Sequence, residues 1–215
     1  MRFVTLALIA LLPLAATAQD IDKVNGNASI GPGQHAGDIH SVNGSVDVGN
    51  GAIVQDAGTV NGSVDLGDNA QAHALHTVNG DITLARGSHV ANGIKSVNGD
   101  ISLNPGADVG GGVSNVNGTI RLDHAHVAGG IETTDGNITV GEGSRVEGGI
   151  LVNEINAHSH GWRWNDSKPH IVIGPHAIVQ GSLEFRREVV LQVSDSAQIG
   201  PVKGATPVTF HGSTP

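Results

Sequence analysis

Thr77-Val78-Asn79-Gly80-Asp81-Ile82 returns nineteen residues later as Ser96-Val97-Asn98-Gly99-Asp100-Ile101. The tripeptide Val-Asn-Gly at its centre occurs six times, with asparagines at Asn25, Asn43, Asn61, Asn79, Asn98 and Asn117, at steps of 18 or 19 residues. A degenerate seventh copy, Thr134-Asp135-Gly136, keeps the step. Self-similarity at a fixed period of about 20 residues marks a solenoid, in which each repeat buries its apolar face only against its neighbours.

The apolar residues between markers give the shape of a turn. Counted from the residue that opens each copy, they are expected at offsets 4, 6, 12, 16 and 18: Ile138, Val140, Val146, Ile150 and Val152 after Thr134. The copy at Val97 gives Ile101, Leu103, Val109, Val113 and then Val116, its closing step one residue longer. Offset 10 is small, as at Ala52, Ala70, Ser88 and Ala107. Gaps of two keep side chains on one face of a strand, and gaps of four span a corner, so the pattern is not helical. It predicts an all-β fold, a three-sided parallel β-helix of about nine turns with 18–19 residues per turn. Three Phe, two Trp and no Tyr suit a triangular core too narrow for rings. The Asn-Gly corners are expected to use positive φ at the asparagine as well as the glycine, with the stacked amides bonding along the ladder.

The ends and one internal stretch depart from the pattern. Arg2 precedes an apolar run from Phe3 to Ala16, and Ala16-Thr17-Ala18 reads as a small-residue cleavage site. Residues 1–18 are therefore expected to be a signal peptide, and the mature protein to be periplasmic or secreted. With no cysteine, the chain has no site for lipoprotein acylation, a disulfide or a thiolate metal centre. No later run reaches the 18 or so apolar residues of a membrane helix. Residues 19–152 form the Val-Asn-Gly array. Residues 153–170 hold both tryptophans and break the pattern, either as an irregular turn or as a loop ejected from a corner. The hexad resumes over 171–200, and 201–215 reads as a C-terminal cap or tail.

Removing Arg2 leaves ten lysines and arginines against twenty acids. Such a surface repels nucleic acid. No cofactor is expected. Twelve histidines can offset the negative charge as pH falls toward 6.

Candidate chemistry is sparse. The outward offsets 3 and 5 form two columns, Ser45, Ser63, Asp81, Asp100, Thr119, Asn137 and Asp47, Asp65, Thr83, Ser102, Arg121, Thr139. Their stacked acids admit an enzyme reading, though a solvated face explains them as well. His124 with His126, and His158 with His160, have a two-residue spacing that suits chelation, with Glu154 or Asp166 as a third ligand. No catalytic or metal residue is assigned from these patterns. Trp162 and Trp164 are candidates for contact with a sugar or protein, and Phe210 for an end-to-end contact. A coenzyme A-dependent acyltransferase is disfavoured by the expected export.

The (Ser/Thr)-Val-Asn-Gly-(Asp/Ser)-(Ile/Val) units at 41–46, 77–82 and 96–101 resemble those of a bacterial adhesin-like repeat family. Ile173-Gly174-Pro175 through Gly181-Ser182-Leu183 is similar to the hexads of bactofilins, which are polymer-forming β-helix proteins. The resemblance covers nearly all of the mature chain and rests on fold-forming residues. It implies a right-handed triangular β-helix that associates end to end without nucleotide or cofactor. The signal peptide departs from the cytoskeletal setting of bactofilins.

The function expected from the sequence is that of an exported, non-enzymatic cell-envelope scaffold or adhesin-like module, self-associating end to end. The alternative is a carbohydrate-binding or carbohydrate-active β-helix, with envelope polysaccharide or protein as partner. Because the histidines gain charge in mild acid, the sedimentation profile is expected to change between pH 7 and pH 5, and identical profiles would contradict this.

Overall fold

The computed structural model describes residues 18–155 and 168–215, and every regular element among them is a β-strand. The expected signal peptide up to Thr17, His158, His160, Trp162, Trp164 and Asp166 lie outside the described residues. Among the described residues, no helix is long and apolar enough to cross a membrane.

The strands form three parallel sheets, one per side of the solenoid. The first face has ten strands, from Ile21–Asn25 to Val202–Lys203, and the second has ten, from Ala28–Ile30 to Val208–Phe210. The third has seven, from Gln71–Ala72 to Gln198–Ile199, and single bridges carry it back through Ile53 to His35. There are thus about ten turns, one more than the repeat count suggests, because residues 202–210 add strands to two faces beyond the last full turn.

Each side contributes two inward positions per turn. The second face supplies pairs such as Ile82 with Leu84 and Ile101 with Leu103, all within 1% of full burial. The third supplies a small residue and a valine, as in Ala107 with Val109. The first supplies an aliphatic and then a hydroxyl, as in Ile39 with Ser41 and Leu75 with Thr77.

That last pair corrects the sequence reading. The valine of Val-Asn-Gly is outside the core: Val42, Val60, Val78, Val97 and Val116 are 38–41% exposed, and Val24 is 68% exposed. The offsets fit the copy at Thr134 because its turn is long, and there Val152 pairs with Thr133 and not with Thr134. A slip of one residue turns a strand side chain to the opposite face. The residue that does point inward suits a corner: Ser41, Thr59 and Thr77 donate their hydroxyls to the carbonyls of Gly26, Gly44 and Gly62, at 3.1, 2.8 and 3.1 Å. A valine there would leave those carbonyls without that donor.

The corner itself divides the work between Asn and Gly. Only the glycines have positive φ, such as Gly44 at 156°, Gly80 at 151° and Gly118 at 108°. A Cβ on Gly80 would run into the carbonyl of Gly62 one turn below. The asparagines instead form the expected ladder, each side-chain amide donating to the Oδ1 of the preceding copy at 2.9–3.1 Å, from Asn43 on Asn25 to Asn117 on Asn98. Positive φ at Asn79 is therefore not what fixes that residue.

The break in the pattern is an insertion and not a turn. Ile138 pairs directly with Ile171, and Val152 with Phe185, a step of 33 residues with no strand between. The extra length falls in sequence between Ile150–Val152 on the first face and His170–Ile173 on the second, where Val-Asn-Gly stands in earlier turns. Across that break Arg187 clamps the degenerate corner, donating to Asp135 at 2.6 Å and to the Thr134 carbonyl at 3.1 Å.

Two substitutions separate the corner roles. Asn79→Val removes two exposed amide contacts and should destabilise by about 1 kcal/mol. Gly80→Ala meets both the backbone conformation and the Gly62 carbonyl, and should destabilise by about 2 kcal/mol or more. Denaturant melts that ranked Asn79→Val as the more severe would overturn this division.

Candidate functional site

The polar groups of the chain fall in columns parallel to the solenoid axis, and most of the acids are engaged in the fold. Asp81 accepts the backbone N–H of Asp100 at 2.8 Å, and Asp100 accepts that of Thr119 at 2.7 Å. Asn27 and Asn137 do the same for Ser45 and His170. At another corner Asp20 accepts from Asp38 and Asp38 from Asp56, and at the third Asn50 accepts from Asp68 and Asp68 from Arg86. An Asp or Asn side chain thus satisfies a corner amide of the next turn, where the sheet ladder is interrupted. This assigns a structural task to the column that admitted an enzyme reading.

The other column holds Asp47 directly beneath Asp65. Burial pushes the Asp65 carboxyl above the usual carboxylate range, the Thr83 hydroxyl opposes this, and the charges of Asp47 and Asp81 add to the rise. Thr83 stands next in the column.

His124 and His126 do not come together as a chelate. His124 occupies a corner at φ 45° and has its Nδ1 2.6 Å from Asp123, whereas His126 lies on the third face against Asp108. The two-residue spacing places side chains on one face only where the chain is extended, and at His124 it is not. Among the described residues, no group of three His, Cys, Asp or Glu could hold a metal ion.

Two arrangements escaped the sequence reading. On the third face Asp108 lies between two imidazoles, 2.8 Å from His89 Nδ1 and 2.5 Å from His126 Nδ1, and Glu147 lies 3.5 Å from His126 Nε2. Burial acts to raise the Asp108 carboxyl, but the two imidazole contacts prevail and hold it below its ordinary value. This column was legible once the register was known, because His89, Asp108 and His126 succeed one another as strand partners. On the first face His76 lies over Gly58, in the space a Cβ there would occupy, with the His40 ring 5.4 Å away. Burial, then the neighbouring His40, lowers the His76 pKa despite the opposing charge of Asp56. One oxygen of Asp56 is buried with no hydrogen-bond partner.

A groove of about 870 Å³ runs along the first face from His76 to Arg186, crossing the strands. Its floor includes Gly93, Gly112, Gly130 and Gly149, and its outward row includes Lys95, Ser114, Glu132 and Glu184. Phe210, the other candidate contact residue, is half-buried in the last strand of the second face, paired with Ser194.

No family model, characterised protein or solved structure matches this chain.

The raised Asp65 carboxyl gives a signed pH test. At pH values above the raised folded value the group is ionised in both folded and unfolded chains, and there the penalty on its folded charge is present in full. As pH falls through the raised folded value and then below the unfolded value near 3.8, the penalty disappears. Asp65→Asn should therefore raise the melting temperature at pH 7 and have little effect at pH 3, and a variant less stable at pH 7 would contradict the assignment.

Proposed function

We propose that the chain is an exported, non-enzymatic scaffold or adhesin-like module of the cell envelope that assembles end to end. The observation that carries this reading is the state of the two ends. Among the described residues every sheet is parallel and terminates in an edge strand, Ile21–Asn25 and Ala28–Ile30 at one end, and Gln198–Ile199, Val202–Lys203 and Val208–Phe210 at the other. An edge strand presents unpaired backbone groups that template another chain. The last strands of one copy run in the same direction as the first strands of the next, so a head-to-tail contact extends the ladder that joins turns within one chain. A heterologous contact of this kind does not close, and it grows filaments.

Five of the twenty acids, Asp20, Asp38, Asp68, Asp81 and Asp100, support a structural role by accepting a corner amide of the next turn. Export rests on the N-terminal sequence alone: the charged residue, the apolar run and the small-residue cleavage pattern.

Electron microscopy of residues 19–215 at micromolar concentration should show rods joined end to end. Val208 is 60% exposed in the terminal strand, so Val208→Lys should leave the monomer folded while placing a charge on the growing edge. That variant is expected to remain as single rods at concentrations where the parent forms chains. Discrete monomers for both proteins would overturn the assembly reading.

A further inference from the structure

We infer that the groove on the first face binds an extended, neutral, hydroxyl-rich polysaccharide strand laid along the solenoid axis. This goes beyond end-to-end assembly and uses a lateral surface that assembly leaves free.

The floor of the groove follows from the fold. At Gly93, Gly112 and Gly130 a Cβ would press on the carbonyl of the next glycine in the column, and at Gly149 on the carbonyl of Ser182. Side chains at these four positions would crowd the next turn at the corner between the third and first faces, and the column is bare from Gly93 to Gly149, with Ala74 before it and Ser182 after it. The result is a trough crossing six strands, from Ala74–Asn79 to Leu183–Phe185. At a strand spacing of about 4.8 Å, this is roughly 24 Å of continuous surface.

The rim is not dictated in this way, because its side chains point outward and the core does not constrain them. Asn153 donates to Glu132 at 2.6 Å, Arg186 donates to Asn153 at 3.3 Å, and the same guanidinium donates to Glu184 at 2.9 Å. This string fixes carboxylate, amide and guanidinium groups in one line while leaving them accessible, with Arg186 and Glu184 side chains 52% and 38% exposed. Ser114 and Lys95 continue the outward row toward His76.

These features select the occupant. A peptide that binds a sheet by strand addition needs an open edge. Here the floor amides are already spent: Ile94 on Gly112, Val113 on Gly130, Ile131 on Gly149 and Ile150 on Ser182, at 2.9–3.0 Å. An amphipathic helix needs a row of apolar pockets, but Leu75, Val113, Ile131 and Ile150 have their side chains buried in the core, no more than 1% exposed, and the outward row carries a single apolar side chain, Leu151, between Glu132 and Glu184. Nucleic acid is opposed by the net charge of −9. Within the groove Lys95 and Arg186 balance Glu132 and Glu184, so no single charge is favoured. What remains is a ligand whose groups both donate and accept hydrogen bonds along an extended chain, as sugar hydroxyls do against carboxylate, amide and guanidinium groups. The ligand runs across the strands, so successive units meet successive turns.

The test is native-gel retardation of residues 19–215 in gels cast with hydroxyethyl cellulose, glucomannan or arabinoxylan, with polygalacturonate as the acidic comparator. Titration calorimetry with the corresponding hexasaccharide then follows. At least one neutral polymer should retard the protein, and affinity should fall tenfold or more in Glu132→Ala/Arg186→Ala. Ser114→Trp, which fills the trough without disturbing the rim string, should do the same. Asp47→Asn, on the second face, should bind as the parent does, and thermal melts would confirm that each variant is folded. The proposal is overturned if no neutral polymer retards the protein, if only polygalacturonate does, or if binding survives both groove variants. It is equally overturned if binding is lost in Trp162→Ala/Trp164→Ala and kept in the groove variants. Single rods in the microscope alongside glycan retardation would refute assembly and leave the groove standing.

Discussion

Hydrogen bonding from each turn to the next is the constraint on which the rest of this molecule depends. A single turn has about four inward aliphatics, such as Ile82, Leu84, Val90 and Ile94, and almost no hydrogen bonds of its own, so it has too little buried surface to offset the ordering of its backbone. Stacking supplies both the ladder and the packing. Once the ladder exists, any residue at a given position in the turn has a copy of that position directly above and below. Whatever occupies the position is then repeated along the axis as a column: an asparagine ladder, a valine stripe, a glycine floor, an acid that holds the next amide. The chemistry of the surface is therefore organised along the axis, at strand spacing.

The same constraint accounts for how much was legible in the sequence. The all-β class, the three sides and the asparagine ladder follow from period and spacing, because residues repeated every 18 or 19 positions must coincide in space once the turns stack. The errors came from questions that period alone does not decide. Offset 18 falls on the next valine in an 18-residue turn, but the inward residue is the one before that valine, as the pairing of Val152 with Thr133 shows. Period alone does not divide positive φ between asparagine and glycine, whereas the Gly62 carbonyl beneath Gly80 decides which residue must lack a side chain. The contact between His89, Asp108 and His126 needs only the register. The groove needs more, since its depth comes from how closely the glycine corners stack.

Acidic composition illustrates how the same residues support different readings at different levels. In the sequence, stacked aspartates on a β-helix admit carboxylate catalysis. In the fold, Asp81, Asp100, Asp38 and Asp68 each accept a backbone amide of the following turn, and asparagine fills the same role at Asn27, Asn50 and Asn137. Interchange of Asp and Asn at one task points to the acceptor oxygen, which both share, and away from the charge. Asp65 differs because its carboxyl is raised by burial and by the charges of Asp47 and Asp81, a penalty that its bond with Thr83 only partly offsets.

The insertion shows where such a fold can change without breaking. Extra residues within a strand would shift the register of every later turn on that face, whereas extra residues at a corner leave both neighbouring strands in place. The step of 33 residues falls at a corner, and the pairs on either side, Ile138 with Ile171 and Val152 with Phe185, are as regular as those elsewhere. The asparagine ladder stops before this point, so its corner-to-corner link must be replaced. Arg187 supplies it, spanning to Asp135 and Thr134 with a half-sheltered guanidinium, its side chain 16% exposed. A long charged side chain does at this one step what a short amide contact does at each step of the asparagine ladder, with a carboxylate and a backbone carbonyl as its acceptors.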